Sequence, residues 1–364
     1  MTRVVDVDRQ EVAQALDRSL RGFGSLNALP MPVKAGPLRS YIIETNEHDA
    51  EGALRRAEEL ALVLGGSMIT TKDAALALVE HADGGMVVDV VDPRFWLVHV
   101  PGTSAWADEL VSGAIRRSID LDWAWLPTSH LDKIQDAGRT RWFKSDFSAD
   151  ELLGEQASGA RRLKVQLEGQ NADKLRRIIG SLPDYRGANS LTGLAVEIET
   201  ADGVVREAAH YRGSFKVAGD SFDAHQAFLS TVASRYGEAV RRVESEAAIG
   251  WEAADSGFRL SGGVIEIRLT TPIERPLAFA ELLLAAKDPF RLWGVPTPVA
   301  DDYAEAEVVD LHIGKVFRLD VLTDSLRLYL DNGVCGNTVF RLLANLQHRY
   351  DATASAWLRG TQLA

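Results

Sequence analysis

Apolar and polar positions repeat one theme three times along the chain. Alternating segments open at "RSYIIET" (Arg39 to Thr45), "RLKVQLEG" (Arg162 to Gly169) and "GVIEIRLT" (Gly263 to Thr270). In the second, Leu163, Val165 and Leu167 point one way and Lys164, Gln166 and Glu168 the other. In the third, Ile265, Ile267 and Leu269 oppose Glu266, Arg268 and Thr270. A period of two is that of a strand, and a polar alternate face suits antiparallel sheets with one wet side.

A helical pattern follows each strand. "HDAEGALRRAEELALVL" offers Asn46 or Asp49 as its cap, "NADKLRRIIGSL" offers Asn171, and "ERPLAFAELLLAAK" carries Pro276 in its first turn. More strands come next. The second copy is clearest, with "LAVEIET" and "VVREAAHYRGSFKVAG" joined by the hairpin signal Asp202-Gly203. A closing helix ends each copy. It is "SAWADELVSGAIRRSI" in the first, the stripe Leu229, Val232, Tyr236, Val240 and Val243 in the second, and Val339, Leu342, Leu343, Leu346 and Tyr350 in the third.

The expected class is therefore α+β, built of tandem strand–helix–strands–helix units with antiparallel sheets and a short N-terminal helix. In the last copy the strands fall near Tyr303 to Leu311, Lys315 to Leu322 and Ser325 to Leu330. This order is similar in topology to a TATA-binding-protein-like or ferredoxin-like half, which implies helices on one face of each sheet. The chain divides into residues 1–38 (a helix with Val12, Leu16 and Leu20 on one side, then the connector "LPMPVKAGP"), a Trp-rich unit at 39–146, a linker at 147–160, a second unit at 161–250 and a third at 251–364. The opening helix stands apart, ready to dock on its own chain or on a partner.

Composition narrows the chemistry. The chain has 364 residues and a net charge of −12, which argues against a nucleic-acid surface over the whole molecule but leaves room for a local basic groove. One cysteine, Cys335, excludes an internal disulfide framework and Cys-rich metal sites. The longest apolar run, "PLAFAELLLAAK", is interrupted by Glu281 and is too short to span a bilayer. The opening residues lack the apolar core of a signal peptide, so a cytoplasmic location without membrane partners is expected.

Cys335 lies in "GVCGNT", just ahead of a helix. A reactive thiolate needs a base, and His348 is thirteen positions along that helix, roughly 20 Å away. A histidine from elsewhere, such as His312 on a neighbouring strand, would reach Cys335 only through the tertiary fold. Gly333 and Gly336 could present free N–H groups to an anion, without the lysine and spacing of a P-loop. The structural reading accounts for every residue: Asp331, Asn332 and Gly333 end the strand, Gly336 eases the turn, Asn337 or Thr338 caps the helix, and Cys335 packs as a small hydrophobe.

Five tryptophans lie between Trp96 and Trp142. Trp123 and Trp125 alternate with Ala124 and are expected on one strand face. "RTRWFK" sets Arg139, Arg141 and Lys144 around Trp142 and Phe143, the mixture of rings and cations that base-stacking platforms use. Core packing is the competing account of these rings. Paired arginines at 55–56, 116–117, 176–177 and 241–242 read as solvated helix faces partly neutralised by nearby acids.

His81, Asp83, Asp89, Asp92, Asp120 and Asp122 are hard-ligand types, but no zinc spacing occurs and no metal or cofactor is expected. Glu197 and Glu199, like Glu266 and Arg268, read as a wet strand face. No nucleophile elbow or kinase set is found. The leading expectation is a non-catalytic protein-binding or assembly component of a cytoplasmic complex, through a protein partner or self-association. The alternative is a nucleic-acid-binding or nucleic-acid-processing subunit, and the third a thiol- or acid-dependent hydrolase.

Overall fold

The computed structural model describes residues 3–21, 29–31, 37–149, 162–169, 171–201, 203–255 and 257–364. In chain order the elements begin with β1 (Arg3–Val4), α1 (Arg9–Leu20), β2 (Leu38–Thr45), α2 (Ala50–Val63), β3 (Ser67–Thr70), β4 (Leu76–His81), β5 (Gly84–Asp89), β6 (Phe95–Pro101), α3 (Ser104–Arg117) and β7 (Leu121–Trp123). Then come α4 (Thr128–Ile134), β8 (Arg139–Ser148), β9 (Arg162–Glu168), α5 (Ala172–Ser181), α6 (Pro183–Arg186), β10 (Gly193–Thr200), β11 (Gly203–His210), β12 (Ser214–Gly219) and α7 (Phe222–Ala247). The last stretch holds β13 (Gly250–Ala254), β14 (Gly257–Ser261), β15 (Ile265–Arg268), α8 (Pro276–Leu283), β16 (Leu292–Gly294), β17 (Thr297–Ala300), β18 (Tyr303–Asp310), β19 (Lys315–Leu322), β20 (Ser325–Leu330), α9 (Asn337–Arg349), β21 (Ser355–Leu358) and β22 (Thr361–Gln362). The protein is α+β, and among the described residues no helix is long and apolar enough to cross a membrane.

Two compact units form from interleaved stretches: Met1–Ala124, Ile134–Arg139 and Ala195–Arg235 make the first, and Trp125–Lys133, Thr140–Leu194 and Tyr236–Ala364 the second. In the first unit the strands follow the order β1-β3-β4-β5-β6-β2-β12-β11-β10, with β7 also on β2. Odd and even residues of a strand point to opposite faces, so β2 supplies two cores. Tyr41 and Ile43 pack with Ala57, Leu60, Val111 and Ile115 of α2 and α3. Leu38 lies on the other side, with Val12, Ala15 and Leu16 of α1 and Phe222 at the start of α7.

Strand β2 departs from the expected wet face, because both of its faces are covered. Its polar residues Ser40 and Glu44 are buried and held by specific partners, Glu44 by Arg94 at 3.0 Å. Helix α1 begins where Asp8 accepts from the Glu11 amide while the Glu11 side chain accepts from the Asp8 amide, a reciprocal cap that satisfies two otherwise orphaned donors. Asp49 caps α2 through the Gly52 amide, whereas Asn171 makes no side-chain cap.

In the second unit the order is β16-β18-β19-β20-β15-β21-β22, with β17 on β18. Strands β18, β19 and β20 occupy the spans read from the sequence, and Pro276 stands in the first turn of α8. The stripe of α9 is buried, but so is the rest of the helix from Asn337 to His348. Its polar side is matched by internal partners. The fully buried Arg341 donates to the Phe290 carbonyl at 2.8 Å and pairs with Asp310, which also accepts from Thr338.

The first two linker residues, Phe147 and Ser148, belong to β8, and 150–160 lie outside the described residues. Asp202 also lies outside them, though β10 and β11 flank that turn as sheet neighbours. Of the connector, 32–36 lie outside, and Leu29 and Met31 are buried with α1.

Candidate functional site: a buried relay and an exposed arm

One row of polar side chains crosses the first unit beneath α1 and α7. Ser40 on β2 stands in register with His99 on β6. The Ser40 Oγ lies 2.8 Å from His99 Nδ1 and 2.7 Å from Nε2 of His225, which the first turn of α7 supplies. His225 Nδ1 is 2.7 Å from Oε1 of Glu207 on β11. Toward the surface, the Gln226 amide donates to Asp89 at 3.0 Å, and Asp89 pairs with Arg9 of α1, which also reaches Asp73 at 2.5 Å. The second nitrogen of His99 and the carbonyl oxygen of Gln226 are both buried, and the Gln226 side chain interacts with His99.

Burial decides the charge of this row. It pushes His99 and His225 down to about 3 and Glu207 well above the usual carboxylate range. The Glu207–His225 contact is therefore a neutral hydrogen bond rather than an ion pair. Assigning the protons from the network gives one direction: Glu207 donates to His225, His225 to Ser40, and Ser40 to His99.

The Ser–His–Glu connectivity matches that of a nucleophilic triad. Ser40, His225 and Glu207 are nevertheless completely buried, and the Ser40 oxygen is occupied by two imidazoles. A cleft of about 800 Å³ runs beside α1 between Arg9, Gln14, Asp17, Arg18, Ser221 and Asp223. It mixes cations with carboxylates, and Asp17 already accepts from the Phe222 amide at 3.0 Å.

The second unit carries the opposite kind of feature. Among the described residues, strands β13 and β14 pair only with each other, Trp251 opposite Leu260 and Ala253 opposite Phe258. Those four residues share one face of the ribbon, and Trp251, Phe258 and Leu260 are 73%, 76% and 63% exposed. On the opposite face Arg259 donates to Glu252 at 3.1 Å. Gly262 sets the base of this arm with φ +95°, and a Cβ there would meet the Ala248 carbonyl oxygen at 2.4 Å. A two-stranded ribbon with no apolar cover is at best marginal in water.

The sequence candidates are distributed differently. Strand β7 ends at Trp123, so Trp123 and Trp125 do not share a strand face. Trp123 packs against Tyr41 at a ring separation of 6.1 Å, and Trp125 is buried with its backbone N–H donating to the Tyr236 hydroxyl. On β8, Trp142 and Lys144 face away from the buried Phe143 and stand opposite Glu168 and Gln166 of β9. Lys144 pairs with Asp146 at 3.1 Å, Arg141 is half-buried and Arg139 is exposed at the strand's start.

Gly333 takes the turn conformation at φ +86°, Cys335 is buried, and a Cβ on Gly336 would meet the Val240 carbonyl oxygen at 2.5 Å. Neither Asn337 nor Thr338 caps α9. Asn337 accepts from Tyr236 and Thr338 donates to Asp310, because buried long-range partners take both side chains. His348 instead bonds Ser190 at 2.9 Å. The arginine pairs are engaged on the surface, Arg56 with Glu47, Glu59 and Asp120, and Arg242 with Glu246. Glu197 pairs with Arg206 and Glu266 with Arg268.

Sequence reading missed the relay and the arm. The relay had a signal: Ser40 and His99 are polar residues set inside apolar strand runs. The arm had one in the alternation of "GWEAA" and "GFRLS" between glycines.

These features define an α+β protein of two interleaved units, one enclosing a neutral polar relay and the other extending an apolar arm. The chain belongs to the MJECL33-like protein family, whose pattern matches residues 12–363. It is similar to the uncharacterized protein MJECL33 of Methanocaldococcus jannaschii, 26% identical over 356 residues that cover 86% of this chain and 85% of that protein.

Proposed function

We propose that this protein is a non-catalytic docking component of a cytoplasmic assembly and that the β13–β14 arm is its docking element. The observation that carries the reading is the arm's uncovered face of Trp251, Phe258 and Leu260. Large rings presented together on a protein surface are the usual anchors of protein contacts. The Arg259–Glu252 pair on the opposite face neutralises the charges carried by the two strands, and the remaining carboxylate, Asp255, lies at the turn. The two nucleophile candidates singled out above, Ser40 in the relay and Cys335 in its turn, are both buried, which fits a binding role better than a hydrolytic one.

The test is native mass spectrometry of the protein purified from its own cells, beside Trp251→Asp/Phe258→Asp protein expressed the same way. Loss of an associated chain from the double variant, with its circular dichroism unchanged, is the expected result. Identical associations in both proteins would remove the reading.

A further inference from the structure

We infer that the arm's partner is a second copy of this chain, in a two-fold dimer where each arm lies on the other copy's β16-β18-β19 sheet face. The inference rests on the docking reading above. The second unit holds another uncovered apolar strip. Trp293 of β16 stands opposite Val309 of β18, and Val309 opposite Val316 of β19, so the three form one row on the face opposite the buried Val308 and Phe317. Trp293 is 51% and Val316 43% exposed, and Val295 beyond the end of β16 is 72% exposed.

Area argues for using both strips together. At roughly 150–250 Å² for a whole aromatic side chain, the arm offers on the order of 400 Å² of apolar surface and the row on the order of 300 Å². An arm seated alone on some surface would bury about 800 Å² counting both sides, at the limit of casual contacts, whereas reciprocal seating buries about 1,400 Å², within the range of stable dimers. Two-fold symmetry satisfies both strips with one contact repeated twice and closes the assembly at two chains. Each chain carries a net charge of −12. That repulsion is screened over about 8–10 Å at ordinary salt, and the charges on the arm's strands, Arg259 and Glu252, are paired with each other on the face away from the contact.

Sedimentation velocity on the purified full chain, from 1 to 100 µM, tests this. The expected wild-type species is twice the 39.8 kDa chain mass. Trp251→Asp/Phe258→Asp on the arm and Val316→Asp on the row should each raise the dimer dissociation constant on the order of 100-fold. Mixing the two variants should restore a weaker dimer, because one intact arm still meets one intact row. Both sites are exposed, and an unchanged near-ultraviolet circular dichroism spectrum checks that each variant is folded. A monomeric wild type at 100 µM, or a row variant that still dimerises fully, would overturn the second-copy assignment. If in that case the arm variant loses a different protein from the native complex, the docking reading survives alone. If the arm variant changes no association of any kind, both fall.

Discussion

Stability of the first unit should fall as pH drops below 6.5, and replacing Glu207 should make that fall steeper. His99 and His225 fall from 6.5 to about 3 on folding. Between those values the unfolded chain binds their protons and the folded chain does not. Stability is therefore lost as pH falls below 6.5, at about 1.4 kcal/mol per pH unit for each ring. Glu207 acts with the opposite sign. Its raised value means the folded chain keeps a proton that the unfolded chain releases above about 4.5, so its contribution is lost as pH rises.

Two rings outweigh one carboxyl between pH 4.5 and 6.5, so stability falls on acidification across that window. Glu207 opposes the loss for as long as the folded chain holds a proton that the unfolded chain has released. Glu207→Gln keeps a donor for His225 but cannot ionise. Its fall on acidification should be steeper than that of the wild type, because the opposing contribution is gone. Hydrogen exchange of β2 and β6 peptides, corrected for intrinsic rates, reads this unit selectively. A flat profile from pH 4.5 to 6.5, or a Glu207→Gln profile identical to wild type, would refute the neutral-relay assignment.

Three further outcomes are expected. Ser40→Ala leaves a buried nitrogen on both His99 and His225 without its partner, so exchange protection of β2 should drop by about 2–4 kcal/mol; a change below about 0.5 kcal/mol would show that the hydroxyl is dispensable. Arg341→Leu strands the Asp310 carboxylate, and denaturant unfolding of the second unit should lose about 3–5 kcal/mol, part of it recovered by adding Asp310→Asn. Cys335 should react with a thiol reagent only as fast as the protein opens, since it is buried; complete labelling of native protein within minutes would contradict this.

Much of the fold could be read from local pattern. The spans of β18, β19 and β20, the stripes of α7 and α9, Asp49 as a cap and Pro276 at a helix start depend on neighbours within a few residues, where steric and hydrogen-bonding preferences act directly. The helix caps proposed at Asn337 and Thr338 failed because distant Tyr236 and Asp310 compete for those side chains inside the core. The wet face expected of β2 failed for a related reason: Ser40 and Glu44 are polar, yet buried partners satisfy them as well as water would.

Sequence by itself determined the α+β class, the strand periods, the acidic balance and the presence of a single cysteine. Tertiary structure alone decided which remote stretches share a unit and which polar residues meet. Ser40 finds His99 and His225 across separations of 59 and 185 positions, and Glu207 joins them from a third strand. Alternation reports which residues leave a strand on the same side, but not what covers that side. The same pattern produced β2, sealed between two helical layers, and the β13–β14 arm, left bare. Cover is a property of three-dimensional packing, and it is what makes the first a buried core and the second an exposed apolar face.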